Sequence, residues 1–356
     1  MISTIIVNYN SAHLTEKAVG SVLQEDEESE VFVVDNTAEP EEKERLRAMF
    51  EGRPVTLLFN ETNEGFGRAC NRAYTLCRGK YIFLLNPDAY IVPPCLRTMR
   101  KFLEDRPDVG SVSPLLFWDS FMTYYFPQSL LPSPGRDLAV KLSCLSPVFA
   151  SLYSLSERNK NLALWRSSSP IRVKNISGGT AFLRRTAIED CGGLFDERFF
   201  LFYEDSDLFL RMQKKGYRLY VVPLARAVHR HSHSVEKLDI MSRTRELYYE
   251  KHFNGHFMHR LVSLIPGASQ SSTCVDFGSW SSPPLFQVPA RFRGRYLFEF
   301  SPSPLFLPSV GYFGSGENLA FSREIWDSID KGEYYCRFTD GGKKLTSHTA
   351  LCWRKT

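Results

Sequence analysis

The chain has no apolar run long enough to cross a bilayer, a span that takes about 20 consecutive apolar residues. Its opening, Met1-Ile-Ser-Thr-Ile-Ile-Val-Asn8, lacks the basic segment and small-residue cleavage site of a signal peptide and reads as a first strand. The eight cysteines, at 70, 77, 95, 144, 191, 274, 336 and 352, form no C-x-x-C pair. They read as reduced, packed thiols of a cytosolic protein, with a Cys336–Cys352 disulfide left open. Charge of one sign is scarce: 44 Lys and Arg against 40 Asp and Glu leave +4, too little to argue for nucleic acid as a partner. There is no P-loop, no G-x-S-x-G elbow and no internal repeat. Gly65-Phe-Gly67 lacks the third glycine of a dinucleotide fingerprint and does not follow the first strand, which sets aside a Rossmann oxidoreductase.

What is present is 356 residues at 43% hydrophobic and 24% charged, a globular composition of about two domains' length. The organising stretch is Tyr81-Ile-Phe-Leu-Leu85 running into Asn86-Pro-Asp88. A continuous apolar run reads as a strand buried on both faces. Pro87 stiffens the turn that follows and holds an acid at the strand end. Upstream, strands at Ser3–Val7, Val31–Val34 and Val55–Phe59 alternate with helices near His13–Leu23, Glu39–Phe50 and Arg68–Cys77. This alternation predicts a doubly wound α/β sheet with right-handed crossovers. Asn8, Asp35-Asn36 and Asn86-Pro-Asp88 all fall at strand ends, where an open sheet binds its ligand.

Beyond Val109–Pro114 the pattern loosens. From Phe117 to Val173 the chain is rich in Pro, Ser and aromatics. Leu138, Leu142, Leu145, Phe149 and Leu152 recur at helical spacing, interrupted at Pro147, and a basic run ends at Lys174. The segment reads either as a packed helical insertion or as an apolar-plus-basic surface for a membrane-bound or anionic acceptor. A strand is expected at Arg218–Val222 and a helix at Leu238–His252. The boundaries predicted are 1–255 for the α/β domain, 256–269 for a linker and 270–356 for a small β-rich domain.

Three acidic points can carry chemistry. Asp35 can accept hydrogen bonds from a base or ribose. Asp88 suits a hard divalent cation, which takes one or two carboxylates plus substrate phosphates. Glu204 and Asp205 follow the aromatic wall Phe199–Tyr203, a setting for a partly desolvated base, and equally for an acidic helix start. His229, His231 and His233 alternate; they read as a His-only zinc site, as a surface strand, or as one ligand completing the Asp88 site.

Taken together, six segments resemble the inverting family 2 glycosyltransferases of GT-A fold, close to their rhamnosyltransferase-like branch. They are Ile5–Ser11, Val33–Asn36, Asn63–Asn71, Leu85–Asp88, Ser177–Phe182 and Phe202–Leu208. The resemblance covers about residues 1–255 and implies a role for each motif. Asn8, Tyr9, Asp35, Asn63, Gly65, Gly67 and Asn71 would hold the nucleotide. Asn86-Pro-Asp88 stands at the family's Asp-x-Asp motif, with Asn86 in place of the first acid. Asp88 and His229 would bind Mg²⁺ or Mn²⁺, with Ser234 beside them. Asp205, with Glu204 next to it, matches the catalytic base, and Gly178 and Gly179 the acceptor-side loop. The implied partners are a dTDP- or UDP-linked sugar and a cell-surface glycan or lipid-linked acceptor. The implied location is the cytoplasm, with peripheral contact on the inner face of the membrane. Two other functions compete. A sugar-nucleotide nucleotidylyltransferase needs a Gly-rich basic loop that Asn8–His13 lacks. A carbohydrate-binding protein would stack sugars on Trp280, Tyr296, Tyr312, Trp326 and Trp353.

Overall fold

Strands β1 (Ile2–Asn8), β2 (Glu30–Asp35), β3 (Val55–Phe59) and β4 (Tyr81–Leu85) pair in parallel in the order β4-β1-β2-β3. The computed structural model describes residues 1–26, 28–230, 237–265, 274–344 and 350–356. Helices α1 (Ala12–Glu25) and α2 (Pro40–Phe50) cover one face of the sheet and α3 (Phe66–Tyr74) the other. Apolar side chains alternate between the two faces: Ile6, Val31 and Val33 pack with Val19, Val22 and Leu46, whereas Ile5, Val7 and Val34 pack with Ala69, Cys70 and Ala73. The doubly wound arrangement follows directly from strands buried on both sides. Ser11 does not cap α1; its hydroxyl turns back to Asn8.

The chain then runs through β5 (Ala89–Val92), α4 (Cys95–Glu104), β6 (Val109–Phe117) and β7 (Tyr124–Tyr125). Helices α5 (Pro134–Leu145) and α6 (Pro147–Trp165) form a hairpin, followed by β8 (Ile171–Val173). Pro147 does not break a helix here. It begins one, capped by Ser146, because a missing N–H costs nothing in the first turn. Strand β9 (Thr180–Arg184) lies antiparallel between β4 and β6. After α7 (Arg185–Asp190) and α8 (Glu204–Lys214), β10 (Arg218–His229) runs much further than the strand read from Arg218–Val222. A register shift between Val222 and Arg226 absorbs Pro223, and the strand's end reaches β5.

Helices α9 (Lys237–Phe253) and α10 (Phe257–Leu264) follow, so the stretch read as a linker contains a helix. The β-rich C-terminal region holds β11 (Cys274–Trp280), β12 (Leu285–Gln287), β13 (Tyr296–Ser301), β14 (Val310–Gly314), β15 (Asn318–Ala320), α11 (Arg323–Ser328), β16 (Gly332–Thr339) and β17 (Ala350–Lys355). It is joined to the α/β sheet: β14 pairs with β7, which pairs with β6, giving one continuous path from β11 to β3. Trp118 and Tyr124 share its core. Tyr296, Trp326 and Trp353 are buried there, so these three of the five rings considered for sugar stacking are spent on packing. None of the eight cysteines, all of them among the described residues, is joined in a disulfide. Cys336 sits opposite Leu351, so Cys352, next along β17, points to the other face of the sheet. Among the described residues no helix is long and apolar enough to cross a membrane.

Candidate active site

The ends of β1, β2 and β4 lie side by side, with Asn8 level with Asp35. Asn8 is fully buried and its amide is saturated. It donates to Asp35 Oδ1 (2.9 Å) and Glu42 Oε1 (3.2 Å), and accepts from the hydroxyls of Ser11 and Thr15. Asn8 therefore orients Asp35 and has no hydrogen-bonding capacity left for a ligand, unlike the contact role expected of it. Asp35 Oδ1 also accepts from the Thr37 amide, while Oδ2 is buried with no protein partner. A buried carboxylate oxygen without a donor is costly and fits a hydroxyl or N–H supplied by a ligand. Tyr9, one residue beyond β1, is 54% exposed.

The Asn63–Asn71 segment packs against Phe195, Phe199 and Phe200. Gly65, at φ +85°, has no room for a side chain: a Cβ there would lie 2.3 Å from the Phe200 carbonyl oxygen. The Phe66 amide donates to that same oxygen at 2.8 Å, and Gly67 abuts Phe199. Asn63 closes its turn by accepting from the Gly65 amide. Asn71 clamps the Phe195 backbone through both its carbonyl and its amide. Gly65, Gly67 and Asn71 thus hold the aromatic wall in place. Asn36, at the β2 end already marked in sequence, and Asn60 tie the loop to β2: Asn60 donates to Asn36, and Asn36 to the Gly65 carbonyl. Gly65→Ala is expected to destabilise the protein by about 1–3 kcal/mol through strain and this clash, read as a lower urea midpoint.

The wall ends in strained backbone. Phe202 and Tyr203 both have positive φ, at 69° and 66°, a conformation bulky residues adopt only when their surroundings impose it. Tyr203 packs on the fully buried Tyr248 of α9. Asp207 locks α8 to α9 through Lys251 (2.6 Å) and His252 (2.7 Å), and binds Arg211 within α8. Asp205 is held in the first turn of α8. Its Oδ2 accepts from the Gly178 amide at 2.9 Å and its Oδ1 from Ser206. Burial raises its pKa against the lowering effect of these donors. A Cβ on Gly178 would stand 2.9 Å from that of Asp205, so glycine is what lets the two meet.

Glu204 differs from its neighbour. It is buried, Oε2 finds no partner, and desolvation together with the Asp205 charge pushes its pKa to about 8. It is neutral at pH 7 and has no exposed carboxylate with which to serve as a base. Since the unfolded carboxyl ionises near 4.5, the folded state binds an extra proton between there and about 8. Its contribution to stability is therefore present below the lower value and is lost as pH rises. Glu204→Gln is expected to gain on the order of 3 kcal/mol at pH 7 and to flatten the fall in melting temperature between pH 5 and 8.

Gly179, next to Gly178, faces the other half of the site. Its carbonyl accepts from the Asn86 amide at 2.8 Å, and a Cβ there would meet the Asn86 side chain at 2.5 Å. The Asn86 side chain lies 3.4 Å from His229 Nε2, and Asp88 Oδ1 3.2 Å from the same nitrogen. The extension of β10 beside β5 delivers His229 to this position, opposite Ala89. One carboxylate and one imidazole nitrogen converging at a strand end are a fitting partial ligand set for a divalent cation that takes its remaining oxygens from substrate. His231, His233 and Ser234 lie outside the described residues. A cavity of about 130 Å³ opens beside His229 and Ser177, walled by Asn175, Phe126, Gln128 and Leu164.

A mixed sheet whose first four strands run parallel, with a carboxylate turn at one strand end and an acid at a helix start beyond it, has the form of a GT-A type nucleotide-diphospho-sugar transferase fold. The profile of glycosyl transferase family 2 matches residues 3–192. The chain belongs to that family. Over 195 residues it is 28% identical to the N-acetylglucosaminyl-diphospho-decaprenol L-rhamnosyltransferase of Mycobacterium tuberculosis, from strains CDC 1551 / Oshkosh and H37Rv alike. That match takes in 51% of this chain and 60% of the relative's length. The crystal structure of GalNAc-T7 with UDP, GalNAc and Mn²⁺ superposes with a TM-score of 0.50 at 15% identity, over 72% of this chain and 51% of that one. It shares the fold.

Proposed function

We propose that the protein is an inverting glycosyltransferase that moves a sugar from a nucleoside diphosphate to a hydroxyl of a lipid-linked saccharide, with rhamnose from dTDP-rhamnose the favoured donor. The observation that carries this reading is the contact chain Asp205–Gly178–Gly179–Asn86–His229–Asp88, which puts a candidate base and a candidate cation site on adjoining residues of one short segment. The mycobacterial relative, whose name specifies a decaprenol-diphosphate saccharide and rhamnosyl transfer, supports the choice of sugar and acceptor.

In this reading Asp35 Oδ2 accepts from the ribose or base, and Tyr9 packs its ring on the base. Asp88 and His229 hold Mg²⁺ or Mn²⁺, which when bound neutralises the charge developing on the diphosphate. Asp205 Oδ2 is fixed by Gly178 at the acceptor side, ready to take the hydroxyl proton as the acceptor oxygen bonds to the anomeric carbon and the carbon–diphosphate bond breaks. Attack from the face opposite the diphosphate inverts the anomeric configuration. The raised pKa of Asp205 makes it a better base than an ordinary aspartate.

The test offers radiolabelled dTDP-rhamnose and UDP-hexoses with Mn²⁺ and a lipid-linked saccharide. Label in the lipid phase from one donor is the expected result. Glycan binding with no transfer from any of them would favour a binding protein instead.

A further inference from the structure

The α5–α6 hairpin and α10 carry large apolar side chains that the protein leaves in water. Val148 is 71% exposed, Leu264 78% and Phe257 68%, and Leu145, Leu152 and Leu261 are also open. Phe257, Leu261 and Leu264 are spaced i, i+4, i+7 along one side of α10, and Leu145, Val148 and Leu152 surround the elbow between α5 and α6. The helices touch. Met258 lies 3.9 Å from where a Gly135 Cβ would be, and Lys141 Nζ donates to the Ile265 carbonyl at 3.3 Å. These contacts run in the same order along both helices. Helix α10 therefore lies parallel to α5, with Leu264 toward the elbow, and the apolar groups form one surface.

Basic groups flank that surface. Helix α10 contains Arg260 and no acid. A cavity of about 500 Å³ between α5, α6 and β8 is lined by Arg136, Lys160, Arg172 and Lys174 against Glu157, which pairs with Lys160. It shares Gln128 and Ser129 with the smaller cavity beside His229. Exposed leucine, valine and phenylalanine bordered by cations are complementary to the acyl boundary and phosphates of an anionic bilayer. A second copy of the chain would bring the same cations face to face.

We propose that the α5–α6 elbow and α10 dock on an anionic lipid bilayer, setting the basic cavity at the headgroups and the smaller cavity above them. The proposal deepens the reading of a lipid-linked acceptor, and its test uses vesicles without any acceptor, so that either can fail alone. The full chain is sedimented with vesicles of equal parts phosphatidylglycerol and phosphatidylcholine, and with phosphatidylcholine alone. Binding to the anionic vesicles, weakened by salt, is expected. Val148→Asp and Leu264→Asp are each expected to lower the partition coefficient about tenfold or more, since each removes one large apolar group from the interface. Both positions are exposed, and unchanged melting temperatures will show that the variants fold. Failure to bind anionic vesicles overturns the proposal. So does binding that both variants retain, or a concentration-dependent dimer in sedimentation velocity that the same variants abolish.

Discussion

Asp205→Asn is expected to lower transfer by about a thousandfold while leaving donor affinity within a few-fold of the parent. The magnitude comes from the loss of general-base catalysis, typically 10²–10⁴-fold. The near-isosteric amide keeps an acceptor oxygen for the Gly178 amide, so the loop and the first turn of α8 should stay in place. The pH profile provides a second readout. Burial raises the pKa of Asp205, and only its ionised form can take a proton. Transfer by the parent should therefore fall as pH drops through a value above the ordinary aspartate range, and the residual activity of the variant should lack that limb. Near-normal turnover by the variant would remove Asp205 as the base.

Glu299→Ala is expected to destabilise the protein by about 3–5 kcal/mol. Glu299 is fully buried in β13 and binds two cations, Arg158 of α6 at 2.9 Å and Arg337 of β16 at 3.0 Å. Burial alone would push its carboxyl up; Arg337 and Arg158 outweigh that and hold it below the usual range. Arg158 also donates to the Gly342 carbonyl (2.6 Å) and the Thr339 hydroxyl (2.9 Å), so the network joins the helical hairpin to the C-terminal strands. Removing the carboxylate strands two buried guanidinium groups, which costs far more than the intact pair contributes. Urea unfolding of Glu299→Ala beside a triple apolar replacement of Glu299, Arg158 and Arg337 checks this. The single variant should be the less stable of the two, and a single variant as stable as the parent would contradict the account.

Strands β1, β2 and β4 were legible because apolar runs buried on both faces leave a local signature, and polar residues at their ends marked the crevice. Asp88, Asp205 and His229 could be singled out from short motifs, and the fold joins them through Gly178 and Gly179 although more than a hundred residues separate the first from the others. The reading lost its grip where the deciding contact is distant. Asn8 looks like a ligand contact in sequence, but Glu42, Thr15 and Asp35 use up its amide. The resemblance gives Gly65 and Gly67 a part in holding the nucleotide, and their backbone makes room for Phe199 and Phe200. Glu204 and Asp205 are adjacent acids that only their donors tell apart: Gly178 and Ser206 hold Asp205, whereas Glu204 Oε2 has none. The strand expected at Arg218–Val222 is carried past Pro223 to His229 by a register shift.

The central claim is that the ends of β1, β2 and β4 hold a nucleoside diphosphate together with a divalent cation at Asp88 and His229. Calorimetric titration of the protein with dTDP and with UDP, in Mn²⁺ and again in EDTA, tests it most directly. The account predicts binding of at least one nucleotide in Mn²⁺, strongly weakened in EDTA and in Asp88→Ala. Nucleotide binding that is as tight in EDTA and in Asp88→Ala as in Mn²⁺, or no binding of either nucleotide, would contradict it.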